Sequence, residues 1–324
     1  MPLKTRLDAF PSPAGGLALG IASLSWAWET QMPSGGAIRT AGALVAVTIA
    51  ALLTLKFILN PRTLFTELAH PVVGSVVPTM AMASMVVSVS LGKVSHGAAS
   101  ALWLAAIAAH LCFLALFTLH RVREPRLHHM VPSWFVPPIG PVVAVLSTPD
   151  PAFLPVSEAL LWFGIASYAV MLPLMLHRLI FAAEVPAPAK PTIAILAAPP
   201  NLCLAGYLTF PAEPNLLLVI VLLGIGALMA LVVYIAFWEL LRLPFSPGYA
   251  AFTFPTVIAA TASFKTAAFL ERHGHAADTV AAIRHWGTLE LAVATAVVSY
   301  VALRYALHYG RFAPVRAAAP AAEN

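Results

Sequence analysis

Five long apolar runs constrain the fold of this chain more than any other feature of its sequence. Each is rich in Leu, Ala, Val and Ile and holds few charges or prolines, and they occupy residues 41–59, 98–119, 156–181, 216–241 and 286–307. A hydrocarbon core of about 30 Å is crossed by a helix of about 20 apolar residues. The runs therefore predict five membrane-spanning helices that contact lipid.

The overall composition supports a membrane protein. Of the 324 residues, 60% are hydrophobic and only 10% are charged, whereas soluble domains have about 45–50% apolar and about 25% charged residues. A chain with so few polar groups cannot cover a water-facing surface. This excludes soluble enzymes, nucleic-acid-binding proteins and disulfide scaffolds.

Shorter apolar stretches, interrupted by proline, lie between the long runs and recur at a regular spacing. Their first prolines are separated by 56–61 residues and are Pro13, Pro71, Pro132, Pro191 and Pro247. In four of the stretches a further proline follows a turn or two later, namely Pro78, Pro138, Pro199 and Pro255. A period near 60 residues matches two spans with short turns, so the repeating unit is predicted to be a helical hairpin.

A proline inside a helix leaves the carbonyl four residues earlier without its backbone donor. The carbonyls affected would be those of Gly74, Trp134, Ile195 and Ala251. At membrane depth such groups are tolerated only where protein or a water-filled cavity receives them. We therefore predict an all-α membrane protein with ten transmembrane helices, arranged as five hairpins around a central pore. The odd-numbered, proline-kinked helices are inner, the even-numbered ones are outer, and residues 1–324 form one domain.

Basic residues are distributed unequally between the two alternate sets of connections. Of the 18 Lys and Arg residues, 13 fall in one set, and the other set holds only Arg39, Lys93, Lys265, Arg272 and Arg284. The positive-inside rule places the richer set in the cytoplasm. We predict a multi-pass protein of the bacterial inner membrane with both termini cytoplasmic. Short tails are expected at about 1–12 and 310–324, the second of which contains Arg311 and Arg316.

The predicted inner stretches carry almost no charge. Residues 71–92, 132–148, 191–210 and 247–264 contain no Asp, Glu, Lys or Arg. Cation pathways and proton-coupled carriers usually contain carboxylates within the membrane. Glu290 lies within a predicted span, and its place four residues after Trp286 suggests an interfacial or outer-vestibule position. His110, near the middle of an outer helix, is expected to hydrogen-bond to a neighbouring helix or subunit.

The sequence contains no motif for catalysis, cofactor binding or metal binding. HExxH, Walker, nucleophile-elbow and dinucleotide-binding patterns are absent. His128 and His129 lack further ligands at a workable spacing, so we predict a solvated basic loop that draws anions to a cytoplasmic mouth. We expect no enzymatic activity, no cofactor, no metal and no nucleic-acid partner.

Two phenylalanines near the start of the ninth predicted helix are candidates for lining a pore. Phe254 lies eight residues after Ser246, which is about 12 Å along a helix and near the middle of the membrane. Phe252 is two residues earlier and therefore about 200° away around the helix. The two rings cannot both face one path, and periodicity alone does not choose between them.

Taken together, these motifs resemble the family of the tellurite-resistance protein TehA, the plant guard-cell slow anion channels and their dicarboxylate- and sulfite-transporting relatives. The resemblance covers essentially the whole chain and depends on the order and spacing of several short motifs. They are Pro-Ser-Pro-Ala-Gly15-Gly16, His70-Pro71, Pro132-Ser-Trp-Phe-Val-Pro137-Pro138-Ile-Gly140, Pro199-Pro200 and Phe252-Thr-Phe254-Pro255.

The resemblance implies five hairpins around a pore, a homotrimer in the lipid membrane, and passage of small anions. It implies that Phe254 blocks the pore at rest and that Gly15 or Gly16 of the first helix faces its ring. The further positions predicted to line or kink the pore are Pro78, Pro138, Gly140, Pro199 and Pro255.

The function predicted from these observations is an anion channel for small monovalent anions of the chloride and nitrate class. The alternative is a secondary carrier for C4-dicarboxylate, sulfite or tellurite-type oxyanions, with or without proton coupling. In the carrier hypothesis, Glu290 and His110 are the first candidates for coupling. The two hypotheses differ in whether the flux follows the anion gradient or is saturable and depends on pH.

Overall fold

The computed structural model describes residues 3–210 and 213–309, and within these ranges all regular secondary structure is helical. The predicted C-terminal tail, with Arg311 and Arg316, lies outside the described residues. The α-helices are α1 (Leu3–Asp8), α2 (Ala14–Gln31), α3 (Ala37–Leu59), α4 (Pro61–Ala69), α5 (Val73–Val76), α6 (Thr79–Leu91), α7 (His96–Arg123), α8 (Val136–Ile139), α9 (Val143–Leu146), α10 (Leu154–Phe181), α11 (Ala198–Tyr207), α12 (Leu216–Leu240), α13 (Thr253–Arg272) and α14 (Ala277–Tyr309). Short 3₁₀ segments are Leu127–His129, Pro132–Phe135, Gly140–Val142, Pro151–Phe153, Ala187–Ala197 and Pro247–Phe252.

Six helices in the described part of the chain are long and apolar enough to cross a membrane. Five of them, α3, α7, α10, α12 and α14, coincide with the five apolar runs, which confirms that part of the prediction. The sixth, Val73–Leu91, combines α5 and α6 and contains one of the interrupted stretches. The chain is therefore a multi-pass helical membrane protein.

Local sequence explains where several helices begin. Ser95 accepts a hydrogen bond from the Ala98 amide at the start of α7, and Asn215 accepts from the Leu217 and Leu218 amides at the start of α12. Side-chain acceptors at these positions pair backbone donors that the first helical turn leaves free. Gly36, which precedes α3, has φ 94°, a conformation that glycine adopts without a steric cost.

The interrupted segments are buried, whereas the long helices face outward. In the most apolar part of Val73–Leu91, 78% of the residues are buried, against 28% in α7 and 33% in α12. Each interrupted segment packs on the long helix that follows it: α2 on α3, α6 on α7, α8 and α9 on α10, α11 on α12, and α13 on α14. The interrupted segments also contact each other in a closed cycle, from α2 to α6, α9, α11, α13 and back to α2.

The prolines act differently from the kinks that the sequence suggested. Pro138, Pro199 and Pro255 lie in the first turns of α8, α11 and α13, and Pro78 directly precedes α6. Amides in the first turn have no partner within the helix, so a proline there costs little. The predicted free carbonyl of Ile195 is wrong, because this oxygen accepts from the Ala198 amide at the end of a 3₁₀ segment.

Candidate functional site

A cavity of about 730 Å³ lies at the centre of the cycle of interrupted segments. Its mouth is formed by the loops that precede these segments, around residues 8–13, 70–72, 128–131, 186–189 and 246–248. Its wall is formed by the N-terminal turns of α2, α6, α8, α11 and α13. The five segments thus begin around one shared space.

Large apolar side chains of the inner helices line the wall of the cavity. Leu19, Met82, Ile139, Leu202 and Phe254 all line it and belong to a single buried cluster. Four of them are only 1–3% exposed, whereas Phe254 is 7% exposed. The Phe254 ring is therefore the one of these five that presents most surface to the cavity.

The structure separates the two phenylalanines that periodicity could not distinguish. Phe254 lines the cavity, whereas Phe252 is fully buried behind the wall. The Phe252 ring packs 4.8 Å from Tyr249 and 5.4 Å from Phe237, measured between ring centroids. The approximately 200° between the two positions directs one ring to the cavity and the other to the surrounding helices.

The other predicted pore residues divide into two groups. Gly16, Gly140, Pro199 and Pro255 line the cavity together with Phe254. Gly15, Pro78, Pro138, His110 and Glu290 are not among the lining residues.

Glycines bring α2 close to its neighbours on both sides. A Cβ atom at Gly15 would meet Thr79 and the Met80 backbone, and one at Gly20 would overlap Thr253. Thr253 directly precedes Phe254 and donates its hydroxyl to the Gly16 carbonyl at 3.0 Å. Sequence analysis missed Gly20, although Gly16 and Gly20 form a GxxxG pattern, which is typical of close helix packing in membranes.

His110 provides a hydrogen bond that the proline-rich segment cannot make by itself. Its Nε2 donates to the Pro137 carbonyl at 2.9 Å, and its side chain is fully buried. That carbonyl has no α-helical donor, because the residue four positions later is Pro141. His110 therefore bonds to a neighbouring segment, as expected from the sequence, and does not face the cavity.

Glu290 is buried, and this differs from the interfacial or vestibule position that we expected. It is 3% exposed and accepts a 2.6 Å hydrogen bond from the Ser263 hydroxyl of α13. The close approach of α14 to α13 explains this burial, since a Cβ at Gly287 would lie 3.2 Å from Ser263 and from Phe264.

Six titratable side chains among the described residues line the cavity: Asp8, Lys56, Glu67, His70, His128 and His129. Burial lowers the pKa of His70, and the charge of Arg121 adds to this effect. Burial also lowers the pKa of His129, with contributions from the nearby His128 and Arg126. Both imidazoles are therefore neutral at pH 7.

Lys56 and Glu67 form an ion pair in the cavity wall that sequence analysis did not find. The Lys56 ammonium donates to Glu67 Oε1 at 2.7 Å, to Ser12 Oγ at 2.9 Å and to the Phe10 carbonyl at 2.9 Å. The Ser12 hydroxyl in turn donates to Glu67 Oε2. The only available signal was a lysine near the end of an apolar run, which we interpreted as a topology marker.

The described residues contain no group of three or more His, Cys, Asp or Glu side chains placed to hold a metal ion. His70, His128 and His129 at the mouth therefore form no such group.

Comparisons with known proteins identify the family. Residues 10–306 match the model of a family described as voltage-dependent anion channel. The chain is also similar to two proteins of Methanocaldococcus jannaschii, each described as an uncharacterized transporter, with 24% identity over 226 residues in both cases. The aligned region covers 62% of this chain and 66% and 65% of the two relatives. Because the family match extends over nearly the whole chain and contains every lining segment from α2 to α13, the protein belongs to the voltage-dependent anion channel family.

Proposed function

We propose that this protein conducts small monovalent anions, of the chloride and nitrate class, through the central cavity and past the Phe254 ring. The observation that supports the proposal is that the Phe254 ring lines, among apolar side chains, a cavity that the five interrupted segments share. A bulky ring there closes the path both by its volume and by excluding water.

The chemistry of the wall suits anions of low charge. The helices α2, α6, α11 and α13 begin at the cavity, and the amino end of a helix carries a partial positive charge. Apart from the Lys56–Glu67 pair and a few Ser and Thr side chains, the wall formed by the inner segments is mainly apolar. An anion that loses its hydration shell easily pays less to pass such a wall, so weakly hydrated monovalent anions are preferred over oxyanions of higher charge.

The proposal includes the architecture that the repeat predicted. The interrupted segments would be the odd-numbered members and the long helices the even-numbered members of ten spans in five hairpins around the pore. The cavity mouth would face the cytoplasm of a bacterial inner membrane, because Arg62, Arg121 and Arg126 belong to the basic set of connections. The family resemblance supports a homotrimer, which native mass spectrometry of the purified protein tests.

A proton-coupled carrier receives less support from the geometry. Its two candidate coupling residues, Glu290 and His110, do not line the cavity, and each is hydrogen-bonded within the protein. A carrier would show saturable uptake of malate or sulfite driven by a pH gradient, and the experiment below includes this outcome.

The test compares Phe254→Ala with Phe252→Ala in planar bilayers under a chloride or nitrate gradient. The two variants remove the same ring two residues apart, one in the cavity and one behind its wall. We expect large currents from Phe254→Ala that reverse near the anion Nernst potential, and little current from wild type or Phe252→Ala.

Two results would overturn the proposal. One is an absence of current in folded Phe254→Ala together with pH-driven uptake into liposomes, which would establish the carrier. The other is an equal current in Phe252→Ala and Phe254→Ala, which would assign the effect to general loosening and not to a ring in the path.

A further inference from the structure

We propose that Glu67 sets the strength with which the cavity holds anions, because it neutralises the Lys56 ammonium in the wall. The inference rests on the anion conduction proposed above and assigns the charge-setting role to a particular pair of residues.

The Lys56 ammonium has no hydrogen-bonding capacity left for a passing anion. An ammonium has three N–H donors, and the acceptors are Glu67, Ser12 and the Phe10 carbonyl. The Lys56 side chain is 2% exposed, whereas that of Glu67 is 19% exposed. Both side chains line the cavity, and the carboxylate is the more accessible member of the pair.

The pairing of Lys56 with Glu67 matters because few other charged side chains line the cavity. Lys56 is the sole Lys or Arg among the described residues that line the cavity, and the carboxylates are Glu67 and Asp8. These lysine and carboxylate side chains together give the wall a slightly negative fixed charge, although the permeating ions are anions. Conduction requires that an ion be held weakly enough to leave, and a neutralised lysine meets this requirement.

Removing the Glu67 charge should make the wall attract anions more strongly and so raise their concentration in the cavity at low salt. In Glu67→Gln the side chain keeps its length and an acceptor oxygen for Lys56, but the ammonium is no longer neutralised. A unit charge roughly 8 Å from an anion in water changes the local anion concentration about two- to threefold. The change is strongest at low ionic strength, because salt screens the charge.

The experiment measures conductance against chloride concentration in the Phe254→Ala background. Three variants of the pair change the net charge in steps: Glu67→Gln adds one positive charge, Lys56→Gln removes one, and the double variant restores the original sum. At about 20 mM salt we expect Glu67→Gln to conduct about two- to threefold more than the parent and Lys56→Gln to conduct less by a similar factor. The double variant should conduct like the parent, and all differences should shrink at about 1 M salt.

Two further variants keep the test decisive if Lys56→Gln does not fold. Glu67→Asp retains the charge and should conduct like the parent. Asp8→Asn removes the other carboxylate of the lining, which accepts a 2.8 Å hydrogen bond from Thr63 and is not among the three acceptors of Lys56. We expect the effect of Asp8→Asn to be smaller than that of Glu67→Gln.

The inference fails if the parent conducts anions but Glu67→Gln leaves the low-salt conductance unchanged or lowers it. It also fails if the double variant conducts as little as Lys56→Gln, since the pair would then act through structure and not through charge. A silent Phe254→Ala parent would instead overturn the proposed anion conduction on which the inference rests.

Discussion

The outer helix α7 and the inner segment Pro132–Leu146 pack against each other and obtain their hydrogen bonds in different ways. The helix α7 is continuous over 28 residues and needs only the Ser95 cap at its start. The inner segment alternates between 3₁₀ and α turns and contains three prolines after Pro132. Two of its carbonyls accept from α7: the Ala144 oxygen from Trp103 Nε1 at 3.1 Å, and the Pro137 oxygen from His110 Nε2 at 2.9 Å.

This difference shows what each layer contributes. An outer helix satisfies its own backbone, so lipid can surround it. The inner segment has a less regular shape that surrounds a cavity, and its Pro137 carbonyl depends on His110 of the outer layer for the donor that Pro141 cannot supply. Substitutions on the inward face of α7 should therefore affect the inner segment, whereas matched changes on outward faces should have little effect.

The largest effect is expected from Trp103→Ala. Trp103 is fully buried and donates to the inner segment, so its truncation should lower the free energy of unfolding by about 3–5 kcal/mol. Trp238→Ala is the matched control, because that ring is 70% exposed on α12. The measurement is thermal unfolding in detergent, and equal losses in the two variants would contradict the dependence of the inner layer on α7.

Gly20→Ala should disturb the contact between two inner segments. The new Cβ would overlap Thr253, and overpacking of this kind costs about 1–3 kcal/mol. Gly224→Ala in the outer helix α12 meets no atom within 4 Å, and we expect it to be neutral or slightly stabilising. Thermal unfolding measures the cost, and the bilayer current shows whether a shift of Thr253 also moves Phe254. If Gly20→Ala leaves the thermal stability unchanged, α2 and α13 are free to separate.

His110→Leu tests the second donor from α7. The substitution leaves the Pro137 carbonyl buried without a partner and should cost about 1–2 kcal/mol. His110→Gln can still donate and should recover part of the loss, whereas a change at the exposed His177 should have little effect. If His110→Leu and His110→Gln are equally stable, the hydrogen bond to Pro137 contributes nothing measurable.

The smallest effect concerns the mouth, where His70 and His129 stand just before two inner segments. Because burial lowers both pKa values, the imidazoles are neutral at pH 7 and become charged only as the pH falls below about 6.5. Acid on the mouth side should then raise anion conductance in Phe254→Ala about twofold. The folded state disfavours these protonated imidazoles, so the same acidification should lower the free energy of unfolding.

A His70→Gln/His129→Gln variant should show a flatter pH profile of both conductance and stability. The neighbouring charges of Arg121, Arg126 and Glu124 remain in this variant. An unchanged profile would assign the pH dependence to other groups.

The outer layer of this protein could be predicted from sequence because an apolar run that spans the membrane specifies its own helix. The positions of the inner prolines also located the interrupted segments. The local geometry could not be predicted, since a proline pattern does not distinguish a kink from a 3₁₀ turn followed by a new helix. The choice between Phe252 and Phe254 depended on packing against Tyr249 and Phe237.

The ion pair of Lys56 and Glu67 could not be predicted from the sequence for a different reason. Lys56 contacts Ser12 and Glu67, which are 44 and 11 residues away in the sequence. Neither spacing would bring two side chains into contact along a single helix. His110 and Pro137 are 27 residues apart. Contacts of this kind follow from how hairpins pack together and are not encoded in any local pattern.

The bonds from α7 to the inner segment also have a consequence for the synthesis of the protein. The helix α7 precedes residues 132–146 in the chain, so Trp103 and His110 leave the ribosome before the Pro137 and Ala144 carbonyls that accept their hydrogen bonds. An irregular segment inserted into lipid without such donors would expose unpaired backbone groups. The order of the chain thus supplies each donor before the acceptor that needs it, and the segment can enter the membrane along a helix that is already there.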